Sequence, residues 1–218
     1  MPLAIFDLDH TLINGDSASL WAEFCVDAGL MDNPDFLRQS DNLYADYEAG
    51  TLDIHAYMSH NLKPIIGYTD EKLAPLLSTF LESVIEPCIY REGEALLQKH
   101  RTQGDTLLLI SATGAHLVEP IGRRLGVDVI MAIDLEKNAQ CFTGNITGIP
   151  TFREGKVERL QAWLQAHNES MNDSWFYSDS FNDLPLLEEA TFPVAINPDS
   201  TLRGIAENRG WSIMQLSS

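Results

Sequence analysis

Short continuous apolar runs alternate along this chain with longer stretches of helical spacing. Leu3-Ala4-Ile5-Phe6 is the first run and reads as a buried strand. After the turn Ile13-Asn14-Gly15, Asp16 or Ser17 is placed to cap a helix carrying Leu20, Trp21, Phe24 and Cys25. From there to Pro87 no strand is predicted; amphipathic segments at 34–49, 53–62 and 69–86 are separated by Gly50, Pro64 and Gly67. Strand and helix then alternate. Helices are predicted at 91–103, 115–125, 156–167, 184–189 and 200–208, and strands at 106–110, 127–132, 174–177, 194–196 and 212–214. Thr143-Gly144-Asn145, between β-like runs at 140–142 and 146–148, predicts a hairpin turn. Repeated β-then-α units imply an α/β fold, a Rossmann-like parallel sheet with helices on both faces. The expected division is a core of residues 1–14 and 89–218 with a helical cap subdomain inserted at 15–88.

Chemistry-bearing residues fall where strands end. Asp7 and Asp9 follow the first strand, at the sheet edge where open α/β folds bind ligands. Two such carboxylates repel unless a cation or a shared proton relieves them, and a divalent metal with oxygen ligands is one relief. Ser111-Ala112-Thr113-Gly114 lies between a buried strand and a helix, where hydroxyls and free amides can cradle a phosphate or simply cap the helix. Lys156 stands at the start of a predicted helix, against the macrodipole, unless a buried acid or a phosphate compensates. Ser178-Asp179-Ser180-Phe181-Asn182-Asp183 brings two more carboxylates to a strand end. Each segment alone has an ordinary explanation as turn, cap or surface lysine; four of them in this order do not.

With these four segments the sequence resembles the haloacid dehalogenase superfamily of phosphatases. The likeness is to the branch similar to phosphoserine phosphatase, with a helical cap of the C1 type after the first strand, and it spans essentially the whole chain. The block Asp7-Leu8-Asp9-His10-Thr11-Leu12 matches the family's first motif, Ser111 the second, Lys156 the third, and Asp179 with Asp183 the fourth. The resemblance implies Asp7 as nucleophile to phosphorus and Asp9 as the acid that protonates the leaving alkoxide. It implies Mg²⁺ held by Asp7, the Asp9 carbonyl and Asp179, with Asp183 orienting ligands from behind. Ser111, the Ala112 amide, Lys156 and Asn182 would then hold the phosphoryl group or substrate. A phosphotransferase, or a phospho-ligand sensor on the same fold, remains open.

Composition refines this picture. The 218 residues carry a formal charge of −18, which disfavours non-specific binding to nucleic acid or anionic lipid. Cys25, Cys88 and Cys141 are widely spaced, as free thiols of a reducing compartment are, and no basic leader or membrane-length apolar run is present. A cytoplasmic protein acting on a small phosphomonoester is expected, with no membrane or nucleic-acid partner; the sequence is silent on oligomeric state. In the phosphoserine phosphatases a cap acid nine positions after the nucleophile meets the substrate ammonium, and here that position is Asp16. Their basic cap segment, which holds a carboxylate, has no counterpart: between Gly15 and Cys88 only Arg38, Lys63 and Lys72 oppose 13 acidic residues. That favours a phosphate ester with an amine and no carboxylate. The segment Gly15-Asp16-Ser17 followed by Leu20-Trp21 also resembles a bacterial subgroup that includes histidinol-phosphatases, which makes histidinol phosphate a lead.

Overall fold

The computed structural model describes residues 2–217. Its sheet has seven strands in the order β4-β3-β2-β1-β5-β6-β7. These are β1 (Leu3–Phe6), β2 (Thr106–Gly114), β3 (Val129–Asn138), β4 (Cys141–Thr147), β5 (Trp175–Ser178), β6 (Phe192–Ile196) and β7 (Ser212–Met214). All neighbours are parallel except β3 and β4. β1 is central because all four of its residues are apolar and both sheet faces are covered, as parallel sheets require. Leu3 and Ile5 point to one face, against Leu160 and Leu164 of α7 (Glu154–His167), Leu187 of α8 (Leu184–Glu189) and Leu202 of α9 (Ser200–Arg209). Ala4 and Phe6 point to the other, which packs on α5 (Arg91–Gln103) and α6 (Ala115–Leu125).

Between β1 and α5 lie four helices: α1 (Ser17–Asp27), α2 (Phe36–Glu48), α3 (Ile54–Asn61) and α4 (Asp70–Phe80), the last running on through a π turn at Leu81–Ile85. The strands leading into and out of this insertion touch: Ile13 bridges to Ile89, and the Asn14 amide donates to the Cys88 carbonyl at 2.7 Å. Trp21, Met58 and Phe80 of the inserted helices share one apolar cluster with Leu117 and Val118 of α6, so the insertion rests on the α5–α6 side of the core. Among the described residues no helix is long and apolar enough to cross a membrane. All three cysteines are free.

The predicted hairpin turn is misplaced. β4 runs straight through Thr143-Gly144-Asn145, pairing Cys141 with Asn138 and Thr147 with Asp134. The chain reverses at Ala139 and Gln140, both at positive φ, and neither residue type advertises such a turn. Gly144 answers a different demand: a Cβ there would stand 2.8 Å from the Ile66 side chain, so its absence lets the insertion close onto the sheet edge. β2 also extends past the predicted end at Ile110 and takes in Ser111 to Gly114.

One buried group in this interface is unsupported. His116 packs edge-on against Trp21 at 6.0 Å, and neither ring nitrogen has a hydrogen-bond partner. Burial pulls its pKa down to about 3, which keeps the ring neutral. An unmet buried polar group costs about 1–3 kcal/mol, more than the edge contact returns. His116→Leu should therefore stabilise the protein by about 1 kcal/mol, raising Tm by roughly 2–4 °C in calorimetry; a lower Tm would mean that the imidazole is satisfied.

Candidate active site

The register of the central strands assembles the site. Phe6 of β1 pairs with Leu109 of β2 on one side and Tyr177 of β5 on the other. Their carboxyl ends therefore bring Asp7, the Ser111–Thr113 segment and Asp179 to one edge. The strand order reverses beside β1, which marks the crevice where α/β sheets bind ligands.

Lys156 enters this edge from the opposite layer. Its ammonium donates to Asp7 Oδ1 and to Asp183 Oδ2, both at 2.7 Å, and the residue is 1% exposed. Ser178 donates a further 2.7 Å bond to the same Asp183 oxygen. Lys156 lies in the first turn of α7, where the macrodipole opposes a cation. Gly155 makes the placement possible: a Cβ there would lie 2.0 Å from the Pro150 carbonyl oxygen, which only glycine allows. Burial pulls the Lys156 pKa down, but Asp183 and Asp7 outweigh it and hold the group charged.

The carboxylates feel the opposite balance. Burial, followed in effect by repulsion from Asp183 and Asp9 against the pull of Lys156, raises Asp7 to about 7. Burial and the nearby Asp16 raise Asp9 to about 6. Asp179 is driven well above the ordinary carboxylate range by burial and by Asp7. One lysine cannot neutralise so many acids. Asp9 is the best supported of them: Oδ1 accepts from the Ser17 amide at 2.6 Å, and Oδ2 from the hydroxyls of Thr113 at 3.1 Å and Ser111 at 3.4 Å. The Ser17 bond sets Asp9 against the N-terminus of α1, where Asp16 is the cap and accepts from the Ser19 amide at 2.7 Å.

A narrow cavity opens over these groups, lined by Asp7, Asp9, His10, Asp16, Ala112, Thr113 and Asp179, and on the cap side by Tyr44, Tyr47, Leu52, Ile54 and Tyr57. The structure thus brings together Asp7, Asp9, Asp16, Ala112 and Asp179 on one cavity, with Lys156, Ser111 and Asp183 directly behind. Asn182 stands apart. Its Nδ2 donates to the Tyr47 carbonyl at 3.0 Å, and its Oδ1 accepts from Arg153 Nε at 3.0 Å. Arg153 in turn donates to the Gly50 carbonyl, so this pair fastens the segment after α2 to the core. Sequence reasoning attached no role to Arg153; its position three residues before Lys156 was the available signal. The wall tyrosines were missed too, because nothing in the spacing of α2 and α3 distinguishes a cavity face from a core face.

With the geometry of the four segments in place, residues 4–188 match the haloacid dehalogenase-like hydrolase family. The chain belongs to that family. A histidinol-phosphatase of Neisseria meningitidis serogroup C is 39% identical over 216 residues, spanning 97% of both proteins. Among solved structures, a protein of unknown function from Bordetella pertussis Tohama I superposes at TM-score 0.90 with 38% identity, covering 98% of this chain and 97% of that one. A substrate-bound phosphoserine phosphatase shares the fold at TM-score 0.72 and 18% identity, covering 98% and 92%. The α/β sheet with its inserted helices is therefore the haloacid dehalogenase fold in the form found in phosphoserine phosphatases.

Proposed function

We propose that this hydrolase is a Mg²⁺-dependent phosphomonoesterase acting through a phosphorylated Asp7 on a small, amine-bearing phosphate ester, with histidinol phosphate the leading candidate. The observation that carries the reaction is the buried Lys156 held at 2.7 Å from Asp7, with Asp9 bonded separately across the cavity. An Asp7 oxygen attacks phosphorus as the ester oxygen departs, and Asp9 gives that oxygen its proton, leaving an aspartyl-phosphate and the free alcohol. Asp9, now a carboxylate, takes a proton from water as the water oxygen attacks the same phosphorus, and Asp7 is released with inorganic phosphate. Lys156 stays charged throughout and offsets negative charge on the transferring group. The Ala112 amide would supply a donor beside it, and the Ser111 hydroxyl, which donates to Asp9 in this structure, would turn to the phosphoryl group when Asp9 takes up its proton.

The donor set fits the metal. Mg²⁺ takes one or two carboxylates and keeps several waters. Asp7, Asp179 and the Asp9 carbonyl would offer that much, and burial with mutual repulsion raises the pKa of Asp7 and Asp179 as it does for carboxylates that lack a cation between them. Bound there, Mg²⁺ would neutralise phosphoryl oxygens and relieve the crowded carboxylates.

Three experiments test this reading. Asp7→Asn should abolish turnover with the fold intact; more than a few per cent of wild-type activity in a folded variant would overturn the covalent route. The metal has a thermal signature. The pKa values of Asp7 and Asp9 are raised to about 7 and about 6, so ionising them costs stability, and the metal-free protein should weaken as pH rises from 4 to 8. Mg²⁺ should therefore raise Tm over an EDTA control more at pH 8 than at pH 5, where both groups keep their protons; an equal gain at both would remove the metal from these carboxylates.

Substrate choice rests on Asp16. It lines the cavity, and no lysine or arginine does. The relative named histidinol-phosphatase supports the same class. In a panel of phosphomonoesters with Mg²⁺, histidinol phosphate should exceed phosphoserine, glycerol phosphate and sugar phosphates. Asp16→Asn, which retains a good helix cap, should lower kcat/KM for amines on the order of a hundredfold and spare a neutral aryl phosphate. Phosphoserine as best substrate would refute the missing-carboxylate argument, and a sugar phosphate would refute the role of Asp16.

A further inference from the structure

Three tyrosines, Tyr44, Tyr47 and Tyr57, line the cavity from the side of α2 and α3. Tyr44 Oη is hydrogen-bonded to His10 Nε2 at 3.0 Å. Burial and the surrounding carboxylates keep all three phenols protonated, far above their ordinary titration range. Together with the side chains of Leu52 and Ile54 they make this wall of the cavity largely aromatic and apolar. Tyr47 stands nearer Asp183, its carbonyl accepting from Asn182 beside that residue. Tyr44 meets His10, the neighbour of Asp9, and Tyr57 shares the cavity wall with Asp16, so these two rings stand where a leaving group would lie beside its acid.

Resting on the phosphatase reading above, we infer that Tyr44 and Tyr57 are specificity-determining residues, their ring faces and the Asp16 carboxylate together selecting a leaving group that is both cationic and flat. The class is an amino alcohol bearing a heteroaromatic ring. Ring faces attract cations and stack on planar groups, and they gain strength when water is excluded. The same wall penalises other leaving groups. A sugar would bury several hydroxyls against aromatic rings and the side chains of Leu52 and Ile54, which cannot pair them all. A carboxylate would meet Asp16 with no lysine or arginine lining the cavity to answer it. An aliphatic amine would satisfy Asp16 and leave the rings unused.

Two pairs of ligands separate these contributions: histidinol phosphate against phosphoethanolamine for turnover, and the free alcohols L-histidinol against ethanolamine for calorimetric binding. Tyr44→Leu and Tyr57→Leu should each reduce the preference for the ring-bearing member by about tenfold, mainly through KM and through binding of the alcohol. Tyr44→Phe and Tyr57→Phe, which keep the ring, should retain most of that preference. Asp16→Asn should lower both amines alike and leave the ratio between them unchanged. Equal losses on both members of a pair in the leucine variants would overturn the proposal. Tyr44 is only half-buried, so Tyr44→Leu carries the test if Tyr57→Leu fails to fold. If no phosphate ester is turned over but L-histidinol still binds more tightly in a tyrosine-dependent way, the phosphatase reading falls and the recognition surface stands.

Discussion

The two 2.7 Å bonds from the buried Lys156 to Asp7 and Asp183 are the contact on which the rest of this structure depends. Each of the three residues is in a setting that would reject it alone. Lys156 is fully enclosed at the positive end of a helix, and Asp7 and Asp183 lie among other carboxylates with almost no access to water. Removing one partner from such an arrangement costs about 3–5 kcal/mol, because an unpaired charge remains buried. The triad also ties the central strand to the helices on one face of the sheet: Asp7 follows the central strand, Asp183 precedes α8, and Lys156 projects from α7. Fold and chemistry share this joint. A sheet that packed without closing the triad would leave three ions unsatisfied at its catalytic edge.

A second constraint follows from the inserted helices. Asp9 is held by the first amide of α1 and by the hydroxyls of Thr113 and Ser111, so the residue proposed as acid is anchored to the insertion as well as to the core. The segment from Tyr44 to Gly50 then reaches three core loops: Tyr44 meets His10, the Tyr47 carbonyl meets Asn182, and the Gly50 carbonyl meets Arg153. These loops also carry Asp9, Asp183 and Lys156. A displacement of α2 would therefore be felt at each of the segments that hold the reacting groups. Asn182 belongs to this fastening, which is why its amide is turned away from the cavity even though it neighbours Asp183.

Much of this was legible in the sequence because the responsible forces are local. Burial on both faces makes β1 a continuous apolar run, and the carboxylates at its end stand out against that run. Helix ends at Gln103 and Leu125 follow from the glycines after them, and the cap at Asp16 from its side-chain oxygen. The failures share a different cause. The turn at Ala139-Gln140 is imposed by pairing across β3 and β4, and Gly144 is explained only by Ile66, 78 residues earlier in the chain. Arg153, Tyr44 and Tyr57 likewise acquire meaning from partners distant in sequence. Helical periodicity reports that one face of α2 or α3 is covered, but not whether it is covered by core or by a ligand.

The charge of the whole chain and the charge of the site pull against each other, and distance decides between them. A phosphate ester approaching a protein at −18 is repelled in the far field, yet salt screens charges separated by more than about 8–10 Å. Within that range, on the proposed reading, the phosphate answers to Lys156 and the metal rather than to the thirteen acids spread over the insertion. Those acids become relevant again only at the cavity wall, through Asp16, where the leaving group rather than the phosphate is read. On the proposed reading, Mg²⁺ held by Asp7 and Asp179 would join Lys156 in offsetting the carboxylates at the phosphoryl end, while Asp16 leaves the other end acidic. A ligand with an anion at one end and a cation at the other would then match the loaded cavity in one orientation, with phosphorus before Asp7 and the ester oxygen before Asp9.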